Sequence, residues 1–137
     1  MLIALSAMHG RHEVSRAWCE HTASLGFKDV FVCVSEGDQE SFDICQSHGF
    51  TICWRPNNPL SDKFNGALAY AFNMTNAARF MVLPSDDFVS QAWVDTMRAS
   101  DEPYCIPHTC AILDAYTQNA YRITKNSLTP GSTMRFG

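Results

Sequence analysis

Residues 57–88 read NNPLSDKFNGALAYAFNMTNAARFMVLPSDDF, a loop followed by a helical pattern, an apolar run and two adjacent acids. Apolar side chains recur at i, i+3, i+4, i+7 and i+8, which predicts one buried helix face: Phe64, Ala67, Leu68, Ala71 and Phe72. The run 80–83 predicts a strand covered on both faces, and Pro84, which has no N–H, ends it. Asp86 and Asp87 follow at once. Because open α/β sheets bind ligands at the C-terminal ends of their strands, these acids mark a candidate site.

Strand and helix signals alternate from the N-terminus to that site. Apolar runs predict strands at 2–5, 30–34 and 51–54, with helices between them. A β-α-β-α-β-α-β order with short connections implies a mainly parallel sheet flanked by helices. We therefore expect an α/β, Rossmann-like fold.

The C-terminal part of the chain has a different pattern. A further helix follows residue 88, and short strands, antiparallel at the edge of the sheet, are predicted at 104–106, 110–113 and 121–123. One domain is expected over residues 1–124. The tail, 125–137, reads as a loop, or as the start of an acceptor-side region.

The predicted core joins the sheet to helices on both sides. Its expected members are Trp18, Val32, Phe64, Leu68, Phe72 and Met81. The first helix is expected to bury Val14, Ala17, Trp18, His21 and Leu25. Truncating Leu68 to alanine should then cost about 2–5 kcal/mol.

Composition narrows the classes of function. The chain has 137 residues, 46% of them apolar and 18% charged, as in a single globular domain. A net charge of −4 argues against stable nucleic-acid binding. The six cysteines form no C-x-x-C pair, which indicates reduced, mostly buried thiols. Since the N-terminus lacks a basic region and no apolar stretch is long enough to span a membrane, we expect a cytoplasmic protein.

The acids at 86 and 87 suit a hard cation. Two carboxylates at the end of a buried strand repel each other unless a cation or a proton holds them. Mg²⁺ and Mn²⁺ favour carboxylate oxygens and keep substrate phosphates as further ligands. Asp86 and Asp87 thus suit an ion that bridges a diphosphate, with Lys63 as a second positive charge. Asn65 could hold a ribose or sugar hydroxyl.

Each of these residues also has a purely structural interpretation. Residues 85–87 could be a helix N-cap cluster, and Asp62 and Lys63 a solvated first turn. Glu36 and Asp38 could be turn and cap residues, with Asp38 the N-cap of a helix that ends near residue 48. P-loop, dinucleotide-binding and G-x-S-x-G motifs do not occur in the sequence.

Three segments, in this order, resemble family 2 glycosyltransferases with the GT-A fold. They are SEGD at 35–38, KFNGAL at 63–68 and MVLPSDDF at 81–88, and the closest similarity is to short, often phage-encoded members with an S-D-D motif. The resemblance implies the following roles: nucleobase contact for Glu36 or Asp38, diphosphate contact for Lys63, and binding of the metal and the sugar-nucleotide by Asp86 and Asp87.

The family's pattern is followed only in part. Gly66 comes directly after Asn65, Ser85 replaces the first acid of D-x-D, and the acceptor-side segment with the general base would be expected beyond residue 137. No catalytic base is therefore assigned. The resemblance implies a metal-dependent glycosyltransferase, or its donor-binding N-terminal portion, that transfers a sugar from a nucleoside diphosphate sugar to an unidentified acceptor hydroxyl.

Three other functions fit the same sequence. A catalytically degenerate module could bind a nucleotide or nucleotide-sugar without transferring it. A nucleotidyltransferase-like enzyme would also place a metal at a strand end, although AMHGR at 7–11 is a poor match to the Gly-rich basic loop it would need. In a structural or interaction protein, Asp86 and Asp87 would only cap a helix.

Overall fold

A computed structural model describes residues 1–77 and 79–102, together with two later strands. The chain divides into two compact units, Met1–Ser100 and Asp101–Gly137. The first unit contains four strands, β1 (Leu2–Met8), β2 (Val30–Ser35), β3 (Thr51–Arg55) and β4 (Arg79–Val82). Its helices are α1 (His12–Ser24), α2 (Gln39–Ser47), α3 (Leu60–Met74) and α4 (Gln91–Ala99).

The four strands form one all-parallel sheet in the order β3-β2-β1-β4. The predicted α/β, Rossmann-like class is thereby confirmed. The central strands β1 and β2 are buried along their whole length, because apolar side chains from both of their faces meet helices. None of the helices in the described residues is both long and apolar enough to cross a bilayer.

The second unit contains an antiparallel pair, β5 (Thr109–Asp114) and β6 (Asn119–Thr124). These strands correspond to the predicted runs at 110–113 and 121–123. Their predicted place at the edge of the main sheet stays a prediction, as does a single domain over 1–124. The predicted strand at 104–106 and the tail at 125–137 lie outside the described residues.

The sheet separates two apolar clusters. The cluster on the side of α1 and α2 includes Trp18 and Val32, and Met81 packs against it, as predicted. The other cluster joins Phe31 and Cys33 to small residues of α3. Trp18 and α3 therefore pack on opposite faces, and the prediction that they bury one another is wrong.

Helix α3 buries only the small members of its predicted apolar stripe, Ala67 and Ala71. Its buried residues are Lys63, Gly66, Ala67 and Ala71, whereas Leu68 is 39% and Phe72 70% exposed. Small side chains let the helix lie close to the strands, and this close packing excludes the larger Leu68 and Phe72. The side chain of Phe64, the remaining member of the stripe, is half-buried.

Helix α1 is rotated relative to its predicted buried face. It buries Ser15, Trp18, Cys19 and Thr22, whereas the predicted core residues Val14 and Ala17 are exposed. Ser15 can enter the interior because its hydroxyl donates to the Gly10 carbonyl at 3.1 Å, which satisfies a buried polar group.

Strand β4 is an edge strand. Among the described strands of the first unit it pairs with β1. Val82 is 59% exposed, so the prediction of a strand covered on both faces is wrong there. Leu83 follows the strand and is buried, and its N–H donates to the Leu5 carbonyl at 2.8 Å. This bond extends the pairing and fixes where the chain leaves the sheet towards Asp86.

Candidate functional site

The strand order creates a switch point beside β1. From β1 the chain runs outward through β2 and β3, and then returns to add β4 on the other side of β1. In open α/β sheets, ligands bind at the C-terminal ends of the strands where the order reverses. We call the segments that follow β1 and β4 here, residues 9–11 and 83–87, the switch-point loops.

An ion pair joins the two switch-point loops. Arg11 Nη1 donates to Asp86 Oδ2 at 2.8 Å, with side chains 57% and 47% exposed. Gly10 and Arg11 both have positive φ, 56° and 45°. The left-handed conformation is common for glycine but infrequent for arginine. It turns the chain sharply between β1 and α1 and brings Arg11 to β4's loop.

The two acids are exposed and do not cap a helix. Ser90 is the N-cap of α4, and its hydroxyl accepts from Trp93 N–H at 3.1 Å, so the predicted capping role of residues 85–87 is wrong. Asp87 N–H instead donates to Pro84 O at 2.9 Å within a tight turn. Burial and, secondarily, the charge of Asp86 raise the pKa of Asp87 above its ordinary value.

The predicted divalent ion at Asp86 and Asp87 stays a prediction. Burial and the negative charge of Asp86 raise the pKa of Asp87, and a cation would relieve the repulsion between the two acids. No group of three or more His, Cys, Asp or Glu side chains in the described residues is arranged to hold a metal ion. An ion at this pair would take its other ligands from water and substrate phosphates, as Mg²⁺ commonly does.

Asp38 is a buried hydrogen-bond acceptor between β1 and α2. Its carboxylate accepts from Gly10 N–H at 2.8 Å, from His12 Nε2 at 3.0 Å, and from the Ser41 N–H and hydroxyl at 3.1 and 2.7 Å. The predicted N-cap of α2 is confirmed. Burial alone would raise the pKa of Asp38, but these hydrogen bonds hold it well below its ordinary value.

A groove of about 280 Å³ lies beside this carboxylate, and we call it the Asp38 groove. It is lined by His9, Gly10, His12, Glu36, Gly37 and Asp38. Glu36 is exposed. The side chain of Asp38 is only 8% exposed, and its carboxylate already accepts hydrogen bonds from other groups of the protein. Of the two acids predicted to contact a nucleobase, only Glu36 has a carboxylate that makes no hydrogen bond or ion pair with another described residue.

The two histidines of this groove, His9 and His12, are not among the site residues predicted from sequence. In the structure, His12 lies between two acids, with Nε2 3.0 Å from Asp38 Oδ1 and Nδ1 3.1 Å from Glu40 Oε2. His9 Nδ1 is 3.6 Å from Asp38 Oδ2. The sequence signal that could have identified them was their position just after β1, because ligands bind at the C-terminal ends of parallel strands. The resemblance places no motif there.

Lys63 lies inside the protein. It is 1% exposed, and its ammonium donates to Met8 O and Ser35 Oγ, both at 2.8 Å. Desolvation, the largest influence, lowers the pKa of Lys63. The alternative of a solvated first turn fits Asp62, which is exposed. It is wrong for Lys63, because the ends of β1 and β2 supply acceptors for the ammonium. In this position Lys63 connects strand ends and does not present a charge to solvent.

Asn65 is the remaining predicted contact. It is exposed on α3, and no described hydrogen bond connects it with the switch-point loops. Its predicted role towards a sugar or ribose hydroxyl stays a prediction.

Comparisons with known proteins leave the site to be interpreted on its own geometry. No protein-family model matches the chain, and a search of curated proteins found no match.

Proposed function

We propose that this chain binds a nucleoside diphosphate sugar and a divalent ion at the switch-point loops. It would act as a metal-dependent, GT-A-type glycosyltransferase or as the donor-binding part of one. The observation that carries the proposal is the position of Asp86 and Asp87. Both follow β4 at the reversal of strand order, both are exposed, and the adjacent helix is capped by Ser90 instead.

The Asp38 groove gives the nucleoside half of such a donor a place next to these acids. Gly10, which donates to Asp38, and Arg11, which pairs with Asp86, are consecutive residues, so one short loop borders both regions. Glu36 would accept hydrogen bonds from the base or ribose. This arrangement supports a ligand with a base at one end and a diphosphate at the other.

In the proposed sugar transfer, negative charge would develop on the departing nucleoside diphosphate. A divalent ion at Asp86 and Asp87 would neutralise charge on the departing nucleoside diphosphate, a contribution of several kcal/mol. The carboxylates of Asp86 and Asp87 would hold the ion at the C-terminal end of β4, and the ion would attract the diphosphate. The hydroxyl of the acceptor would form a bond to the anomeric carbon as the bond from that carbon to the diphosphate breaks. We assign the general base to no described residue.

The test is a calorimetric titration of common nucleoside diphosphates with and without Mn²⁺. We expect at least one to bind more tightly with metal, and Asp87→Asn to remove most of that difference without lowering the melting temperature. Asp95→Asn is the matched control, since Asp95 is also an exposed aspartate, 2.8 Å from Arg98, on α4 away from the loops.

Three results separate the alternatives. No binding by any nucleoside diphosphate or its sugar conjugates to folded protein would remove the proposed donor site. Metal-linked binding without sugar transfer or donor hydrolysis would indicate a degenerate binding module. Pyrophosphate release from a nucleoside triphosphate and a sugar phosphate would indicate a nucleotidyltransferase.

A further inference from the structure

The proposed donor site needs a cation for the diphosphate, and Lys63 does not offer one at the surface. Its ammonium is buried and bonded to Met8 O and Ser35 Oγ. Arg11 is an exposed cation on a switch-point loop, and its guanidinium already contacts a carboxylate there. A planar guanidinium can also donate two parallel hydrogen bonds to a phosphate, which makes arginine well suited to diphosphates.

The ion pair between Arg11 and Asp86 is of the kind that exchanges partners readily. Both side chains are about half exposed, and exposed pairs contribute little to stability because water and salt screen them. The contact joins one carboxylate oxygen, Asp86 Oδ2, to one guanidinium nitrogen, Arg11 Nη1. The positive charge of Arg11 weakens the attraction of that carboxylate for a metal ion, and the negative charge of Asp86 weakens the attraction of the guanidinium for a phosphate. A ligand for either member therefore competes with the pair.

We propose that Arg11 is the diphosphate-binding residue and that its ion pair with Asp86 is exchanged when the donor binds. This inference rests on the proposed donor site. The guanidinium would move from Asp86 to the diphosphate, and the freed Asp86 would join Asp87 on the divalent ion. Each ligand then removes the competitor of the other, so metal and diphosphate bind with positive coupling, equal in both directions.

Arg11→Gln separates this exchange from a merely structural contact, because it should move two affinities in opposite directions. Mn²⁺ alone, followed by calorimetry or electron paramagnetic resonance, should bind up to about fivefold more tightly, since the ion no longer competes with a guanidinium. UDP or inorganic pyrophosphate, titrated with Mn²⁺ present, should bind about tenfold more weakly, since a charge-assisted bidentate contact is lost.

The chain offers a matched control for the loss of a positive charge. Arg98 pairs with Asp95 at the same 2.8 Å and with similar exposure, and it also donates to Gly26 O, beyond the C-terminal end of α1. Arg98→Gln should leave both affinities within about twofold of wild type. In an Asp86→Asn background, Arg11→Gln should no longer tighten Mn²⁺ binding, because no carboxylate remains to be released.

The outcomes distinguish this inference from the proposed function. Metal-linked UDP binding in wild type that Arg11→Gln leaves unchanged would overturn the exchange and keep the donor site. If Arg11→Gln still tightens Mn²⁺ binding in the Asp86→Asn background, the gain comes from removing a positive charge near the ion and not from releasing Asp86. That result would also overturn the exchange. Failure of wild type to bind UDP or pyrophosphate with Mn²⁺, while melting cooperatively, would overturn both.

Discussion

The sharpest stability prediction concerns Lys63→Met, which keeps the length of a buried side chain and removes its donors. Three hydrogen bonds disappear: two of 2.8 Å, to Met8 O and Ser35 Oγ, and one of 3.5 Å, to Asn57 Oδ1. A buried acceptor left without a partner costs about 1–3 kcal/mol. The single proton of the Ser35 hydroxyl compensates in part, since it can go either to Asn57 Oδ1 at 2.9 Å or to Met8 O at 3.4 Å. Methionine also removes the cost of burying an ammonium, so we expect a net loss of about 1–2 kcal/mol near pH 7.

The pH dependence of this loss identifies its cause. Desolvation lowers the pKa of Lys63 below 10.5, so between the lowered pKa and 10.5 the unfolded chain binds more protons than the folded one. Stability contributed by this residue therefore rises with pH across that window. Methionine cannot titrate, and the stability gap between wild type and Lys63→Met should widen as the pH rises from 7 towards 10.

Urea unfolding of both proteins near pH 7 and about pH 10 measures the gap directly. Comparing the two proteins at each pH cancels the titration of the other groups. Lys28→Met, at an exposed lysine, should change the free energy of unfolding by less than about 0.5 kcal/mol near pH 7. A Lys63→Met gap that stays constant or narrows towards pH 10 would refute the buried ammonium and the strand-end role built on it.

Two further predictions concern the acid side of the site and the core. Because hydrogen bonds hold the pKa of Asp38 well below its ordinary value of 3.8, its contribution to stability is complete above about pH 4 and is lost as the pH falls further. Asp38→Asn should therefore destabilise the protein by about 1–3 kcal/mol at pH 7, and its melting temperature should fall less steeply than that of wild type as the pH drops below about 4. An equally steep fall in both proteins would contradict the hydrogen-bonded carboxylate. Leu68→Ala should cost less than about 1 kcal/mol in urea unfolding and Trp18→Ala about 3–5 kcal/mol, and the opposite order would contradict the observed faces of α1 and α3.

The sheet could be predicted from sequence because its signals are local. Short apolar runs bounded by turns placed all four strands within a few residues of β1, β2, β3 and β4, and their alternation with helices implied parallel pairing. The acids at 86 and 87 followed from the same reasoning, since they come directly after the fourth apolar run.

The buried faces of the helices could not be predicted in the same way. Hydrophobic periodicity correctly placed Ala67 and Ala71 on the inner face of α3. It also placed Leu68 and Phe72 there, whereas the sheet selects small side chains that allow close approach. Lys63 enters the interior because Met8 O, 55 positions away in sequence, offers an acceptor. Periodicity within one helix contains no information about such a partner.

The contacts of the site depend on topology in the same manner. Arg11 and Asp86 are 75 positions apart and meet because β4 pairs beside β1. Asp38 collects donors from Gly10 and His12 because β1 and β2 are neighbours. Sequence reasoning identified both acids and placed them at strand ends, but their cationic and histidine partners required the strand order.

The central claim is that a divalent ion and a nucleoside diphosphate share the switch-point loops. Anomalous diffraction from crystals grown with Mn²⁺ and UDP tests it most directly, because the ion is located without assumptions about its ligands. We predict a peak within about 2–2.6 Å of carboxylate oxygens of Asp86 or Asp87, with the diphosphate against Arg11 and the base in the Asp38 groove. A peak at other side chains, or UDP bound away from these loops, would contradict the claim.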